Sequence, residues 1–223
     1  MNASRTYVCL PGAWMGAWSW QFVVARLAAA GNDARALPFR GVGERAAYLE
    51  KEGLNDVVLV GHSFGSLIAT LVTDRVPGRI AHLVIIDGGI ATDGQSIFGR
   101  IPAAIVAKRK TLVKVVNGTE VLPFAPVGSL IIDDPGLAAW THRQLTPHPV
   151  ACYTKPIRLF HPAGNGRPMT YIACTKPRYP VSAGTHEKVQ TMPHIRYKPI
   201  EAGHNCILSA PDLVARELLE IPR

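Results

Sequence analysis

One stretch constrains this chain more than any other: an apolar run that breaks into glycine and passes at once into a helix pattern. Asp56-Val57-Val58-Leu59-Val60 shows no polar alternation, so it reads as a strand buried on both faces, as parallel sheets require. Gly61-His62-Ser63-Phe64-Gly65 ends it, and Ser66–Val76 reads as a helix stopped by Pro77-Gly78. Similar units flank it. Thr6–Leu10 is a predicted strand ending in Pro11-Gly12, Gln21–Ala30 an alanine-rich helix closed by Gly31-Asn32, and Ala34–Pro38 a short strand. His82–Ile86, Met169–Cys174 and Arg196–Ile200 read as further strands, and Ala210–Ile221 as a closing helix with Pro211 in its first turn. Such alternation predicts an α/β fold, a mostly parallel, doubly wound sheet covered by helices.

The segment from about 91 to 166 breaks the rhythm. It is rich in proline and glycine, mixes basic with apolar residues and offers no clear strand, so it is expected to be a lid inserted into a single domain spanning 1–223. Composition is consistent with one globular unit: 48% of residues are hydrophobic and 18% charged, and no apolar stretch reaches the ~18 residues of a membrane span. Met1-Asn2-Ala3-Ser4-Arg5 runs directly into the first strand without a signal-peptide core, which leads to an expected cytoplasmic location. Cys9, Cys152, Cys174 and Cys206 are scattered, so reduced thiols are expected, with neither disulfides nor a metal site. The net charge of +8 raises the question of nucleic acid. Its densest run, Lys108-Arg109-Lys110 with Lys114, lacks interleaved aromatics and reads as a solvated helix face, so neither nucleic acid nor membrane is an expected partner.

A serine between strand and helix has chemical meaning. The turn is sharp, its small neighbours let strand and helix approach, and the helix N-terminus offers unpaired N–H groups to any negative charge that develops there. A serine hydroxyl attacks well only when a base takes its proton. Among the eight histidines, His204 in Glu201-Ala202-Gly203-His204-Asn205 is the candidate, because it follows the last strand and loops at strand C-termini converge on one edge of such a sheet. His62 is expected to point elsewhere. For His82 at a strand start, for His142, His148 and His161 in the lid, and for His186 and His194 in a connecting loop, surface or packing roles are expected.

Leu10-Pro11-Gly12-Ala13-Trp14-Met15-Gly16-Ala17-Trp18-Ser19-Trp20 resembles the HGAWxGAWxW segment of the α/β-hydrolase superfamily, in the branch of plant methyl-ester esterases, hydroxynitrile lyases and small bacterial esterases. Arg40-Gly41-Val42-Gly43-Glu44-Arg45, Val58–Gly65, Ile86-Asp87-Gly88 with Asp93-Gly94-Gln95-Ser96, and Gly203-His204 follow in the family's order. The likeness covers roughly two thirds of the chain and is weak in the lid, where only Leu145-Thr146-Pro147-His148-Pro149 matches. It implies an α/β-hydrolase fold with Ser63 as nucleophile and His204 as base, and an oxyanion hole made by the backbone N–H groups of Ala13 and Phe64. One such donor is worth about 3–4 kcal/mol to the transition state. Pro11 stands where the family has histidine, but the donor is a later backbone amide, so the hole is expected to survive. Trp14 is the candidate substrate-lining residue, while Trp18 and Trp20 are expected in the core.

Two departures stand out. The family's acid usually follows the strand that here contains Tyr171-Ile172-Ala173-Cys174, yet Thr175-Lys176-Pro177-Arg178-Tyr179-Pro180 holds no carboxylate. Asp87, at the end of the preceding core strand, is the expected substitute, ahead of Asp133, Asp134 and Glu201; a turn-capping role is its alternative. From Gly43 to Asp56 the chain is shorter than its relatives, so a core helix should be shortened or replaced by a loop, exposing sheet for a partner subunit in a homodimer or widening the site. The expected reaction is hydrolysis of a carboxylic ester or thioester of a small, hydrophobic molecule through an acyl-enzyme, without cofactor. The alternatives are a lyase, cyclase or acyltransferase of secondary metabolism, and a receptor with a vestigial triad. The hydroxynitrile-lyase version is disfavoured by Asn205, where that branch has lysine.

Overall fold

In the computed structural model, which describes residues 4–38, 41–124 and 130–222, the strands of the central sheet are β1 (Thr6–Leu10), β2 (Asp33–Ala36), β3 (Val57–His62), β4 (Ile80–Ile86), β8 (Met169–Cys174) and β9 (Ile195–Ile200). They assemble in the order β2-β1-β3-β4-β8-β9, with every neighbouring pair parallel. Arg40 of the sequence motif and positions 125–129 of the inserted segment lie outside the described residues. The helices of the main layer are α1 (Gln21–Ala29), α2 (Val42–Lys51), α3 (Phe64–Arg75), α7 (Ala183–Gln190), α8 (Cys206–Ser209) and α9 (Pro211–Leu219).

Side chains alternate across a strand, so a sheet covered on both faces needs apolar residues in both registers. Tyr7, Cys9, Val58, Val60, Val84, Ile86 and Ile172 point to one face, where Val23 and Leu27 of α1 and Val214 and Leu218 of α9 cover them. Val8, Leu10, Leu59, Leu83, Ile85 and Tyr171 point to the other, against Leu49 of α2, Ala69 and Val72 of α3, and Val189 of α7. Where a loop was one expectation for the shortened segment, the ten-residue α2 buries Arg45, Ala46 and Leu49, so no bare sheet results there. The closing helix forms as expected, with Pro211 in its first turn, and ends at Leu219; a short α8, separate from it, takes the residues after Asn205, and Pro211 starts α9 afresh because it supplies no N–H to continue a helix.

Inserted between β4 and β8 are α4 (Ala103–Lys110), α5 (Pro135–Gln144), α6 (Ala151–Thr154) and a three-stranded antiparallel sheet of β5 (Lys114–Val116), β6 (Thr119–Leu122) and β7 (His148–Pro149). The expectation of no strand here is corrected. Asn117 and Gly118 both have positive φ, 48° and 76°, which is the two-residue turn that Asn-Gly favours between strands. That dipeptide, flanked by Val116 and Thr119, was the legible signal.

Two features hold the turn after β3. A Cβ on Gly61 would lie 2.5 Å from the Gly65 carbonyl oxygen, and one on Gly65 would collide with the carbonyls of Leu10 and Pro11. The two glycines thus let β3, α3 and the end of β1 share one small space. Gly65→Ala is expected to push β1 and α3 apart and to cost about 1–3 kcal/mol, the usual range for overpacking. Urea unfolding measures this; an unchanged midpoint would contradict the close approach.

Candidate active site

The sheet places the site. β1 lies between β2 and β3, so the chain leaves β1 toward one edge and returns on the other side, and the loops after β1 and β3 flank the crevice where that reversal occurs. The first loop carries Pro11–Trp14 and the second Ser63. A Cβ added at Gly12 would stand 3.2 Å from Ser63 Cβ, so the two loops touch. Ala13 lies in the first, and Phe64 opens α3 directly after Ser63.

Three non-glycine residues here have left-handed φ: Trp14 at 65°, Ser63 at 54° and Asp87 at 46°. Each such conformation costs about 1–3 kcal/mol and persists only where its surroundings over-determine it. For Ser63 those surroundings are explicit. Its N–H donates to the Ile86 carbonyl (2.9 Å), its own carbonyl accepts from Ser66 N–H (3.1 Å), and Ser66 Oγ donates to the Gly61 carbonyl (2.8 Å). The side chain is left half-buried at the helix N-terminus.

His204 Nε2 lies 3.0 Å from Ser63 Oγ, and His204 Nδ1 lies 2.6 Å from Asp87 Oδ2. An ionised carboxylate only accepts, so Nδ1 carries the ring proton and Nε2 turns its lone pair to the serine hydroxyl. β9 is three strands away from β3, about 14 Å at normal strand spacing, and the loop after it must lean back across the sheet. His62 holds it there: its Nε2 donates to the His204 carbonyl at 2.7 Å. Burial, aided by the neighbouring His204, pushes the His62 pKa down to about 3, so the ring stays a neutral donor. His62, expected to point elsewhere, is thus the strut of the loop that bears His204.

Asp87 is buried and saturated. Oδ1 receives His186 Nε2 (2.5 Å), Ser182 Oγ (3.1 Å) and the Cys174 N–H (3.3 Å), while Oδ2 receives His204. Burial pushes the Asp87 carboxyl up, but hydrogen bonds and charge from His186 and His204 outweigh it and hold the group well below the usual carboxylate range. His186 is not in a connecting loop as expected but in α7, buried, with Ser182 just before the same helix. Sequence reasoning missed it because 99 residues separate it from Asp87 and no local pattern marks the contact. The other acids lie elsewhere: Asp134 caps α5 by accepting Leu137 N–H (2.7 Å), Glu201 pairs with Lys176 (2.8 Å), and Asp133 is exposed.

The inserted segment packs on the loop after β1. Trp14 Nε1 donates to the Leu122 carbonyl (3.1 Å) and the Trp14 carbonyl accepts from Thr146 N–H (3.0 Å). Leu122, Val150 and Tyr153 pack on Ala13, with Phe64 and Trp14 alongside. Tyr179 stacks on the His204 ring with centroids 4.0 Å apart. The basic run is not wholly a solvated face: Lys108 and Lys110 are exposed, but the Arg109 guanidinium lies over the rings of Trp14 (5.9 Å) and Tyr153 (5.8 Å). The remaining histidines serve packing or surface. His82 bonds Thr170 Oγ1 (2.9 Å), His161 binds the buried Asp74 carboxylate (2.9 Å), His142 meets Phe124 edge-on, His148 is buried in β7, and His194 is exposed.

Comparison with known proteins agrees with this architecture. Residues 7–217 match the model of the alpha/beta hydrolase family. A carbendazim-hydrolyzing esterase of Nocardioides sp. (strain SG-4G) is 28% identical over 72% of this chain and 74% of its own length. Methylesterase 7 of Arabidopsis thaliana is 29% identical over 38% of this chain and 40% of its own. An extracellular alpha/beta-hydrolase from a Paenibacillus species, described as structurally and functionally homologous to tobacco salicylic acid binding protein 2, superposes with a TM-score of 0.82 at 20% identity, covering 98% of this chain and 99% of its own. With its parallel sheet, its strand–serine–helix turn and relatives of this kind, the chain belongs to the alpha/beta hydrolase family and is an esterase-like hydrolase.

Proposed function

We propose that this protein hydrolyses a carboxylic ester or thioester of a small, largely hydrophobic molecule through an acyl-enzyme on Ser63. The observation that carries the reading is the unbroken line of hydrogen bonds from Asp87 through His204 to Ser63, at 2.6 and 3.0 Å. As Ser63 Oγ attacks the carbonyl carbon, His204 Nε2 takes its proton, and the imidazolium so formed is stabilised by Asp87, which remains ionised. The backbone N–H groups of Ala13 and Phe64 receive the oxyanion; both adjoin the nucleophile, one across the loop contact and one along the chain. His204 then returns the proton to the leaving alcohol or thiol. Water repeats the sequence and frees the acid. Trp14 lines the acyl side beneath a lid formed by the described part of residues 91–166, whose Leu122 and Tyr153 close over the oxyanion loop.

His186 serves as a positioning residue. With Ser182 and the Cys174 N–H it fixes one carboxylate oxygen so that the other faces His204, and its hydrogen bond helps hold the Asp87 carboxyl well below the usual carboxylate range.

Ser63→Ala is expected to lower the rate of p-nitrophenyl acetate hydrolysis by roughly a thousandfold or more and to abolish labelling by a fluorophosphonate probe. Retained labelling, or labelling mapped to another residue, would refute the assignment. Asp87→Asn should fold and yet lose about four decades of kcat, because an amide turns the imidazole to the wrong tautomer. A loss under tenfold would mean the carboxylate is only structural. Removing a hydrogen bond to a charged group costs about 1.5–3 kcal/mol. His186→Leu should therefore lower kcat about 10–100-fold and move the acid limb of the kcat/KM profile to higher pH, with His186→Gln recovering part of both. A fall in kcat with an unmoved limb would reduce His186 to packing.

A further inference from the structure

The roof of the site contains a cation with no carboxylate to meet it among the described residues. Arg26, Arg35 and Arg178 each pair with a carboxylate, to Asp212, Asp33 with Glu52, and Glu187. Among the described residues Arg109 has no such partner within ion-pair distance. It is half-buried, laid over Trp14 and Tyr153, and close enough to Tyr179 to favour the ionised form of that hydroxyl against burial. Tyr179 in turn stacks on His204, so the guanidinium is about one aromatic ring away from the candidate base. A second observation points the same way. The Tyr153 hydroxyl is buried, with the residue only 2% exposed, and finds no hydrogen-bond partner among the described residues. Leu122, Val150 and Phe98 beside it are apolar, and the polar neighbour His148 meets the Tyr153 ring edge-on with centroids 5.2 Å apart.

A planar fork of N–H donors lying over the rings of Trp14 and Tyr153, the second of which carries the unpartnered hydroxyl, matches a group with two coplanar acceptor oxygens and a single negative charge. We propose that Arg109 and Tyr153 form a carboxylate subsite in the roof, and that the substrates are half-esters: molecules carrying a free carboxylate a short apolar spacer away from the scissile ester. This rests on the hydrolase reading of Ser63 and names its substrate class. The apolar walls suit an aliphatic or aryl spacer, and a roof position lets the ester carbonyl lie below, between Ser63 and the amides of Ala13 and Phe64. Exposed Lys108 and Lys110 add a positive field that draws anions to the entrance without contacting them.

Binding tests the subsite separately from turnover. The Ser63→Ala protein is titrated calorimetrically with 4-nitrophenyl hemiglutarate and with 4-nitrophenyl valerate, its neutral counterpart. The hemiglutarate is expected to bind at least tenfold more tightly. That preference should vanish when Arg109→Gln is added, fall part-way with Arg109→Lys, which keeps the charge but loses the fork, and shrink with Tyr153→Phe. Lys108→Gln with Lys110→Gln should leave it within twofold. Equal affinities for the two esters, or a preference that survives Arg109→Gln, overturns the subsite. So does a preference lost equally with the two lysines, which assigns it to the diffuse field. Fluorophosphonate labelling of the wild-type chain reports on the hydrolase reading independently.

Discussion

A carboxylate with no access to water organises this molecule. Asp87 sits at the end of β4 with both oxygens engaged, and its donors come from β8, α7, the approach to α7 and the loop after β9. A charge so buried is tolerated only because it is fully hydrogen-bonded; leaving it short of a partner costs about 3–5 kcal/mol. Folding therefore cannot place Asp87 without also placing His186, Ser182 and His204. The need to satisfy one charge becomes the means by which residues separated by up to 117 positions converge.

The second constraint is steric. Ser63 reaches the crevice only because Gly61 and Gly65 let three backbone segments meet, and Ser63 itself then takes a conformation that bulky residues avoid. Trp14, in the loop after β1, and Asp87, directly after β4, have positive φ as well. Buried hydrogen bonds to β4 and β8 hold these conformations: Ser63 N–H to Ile86 and Asp87 N–H to Ile172, both 2.9 Å. Sheet, turn and site are thus one mechanical unit, and the inserted segment is tied to it through Trp14.

Much of this was legible before any coordinates. Unbroken apolar runs gave the central strands, and glycine and proline gave most helix ends, because those signals are local. The helix after Ser63 starts two residues earlier than its pattern suggested, since Phe64 and Gly65 belong to the turn by composition and to the helix by geometry. The inserted hairpin is hard to see in the sequence although Asn117-Gly118 announces it: its strands are short, β5 is exposed throughout, and β6 buries only Val121 and Leu122, in succession rather than in alternation. Nothing in the sequence distinguishes His186, His62 and Arg109 from ordinary surface or packing residues. Each acquires its role from a partner far away in the chain, to Asp87, the His204 carbonyl and the Trp14 ring respectively, and no spacing encodes such a meeting.

Proton NMR of the folded chain in water gives the most direct test of the shared carboxylate. Short N–H···O⁻ bonds from two buried imidazoles should each deshield a ring proton far beyond the amide region and protect it from exchange. Two such resonances are expected, one lost in His186→Leu and both lost in Asp87→Ala. Resonances that persist without Asp87, or a spectrum with none in the intact protein, would mean that the carboxylate does not hold the two histidines and that the line from Asp87 to Ser63 is broken.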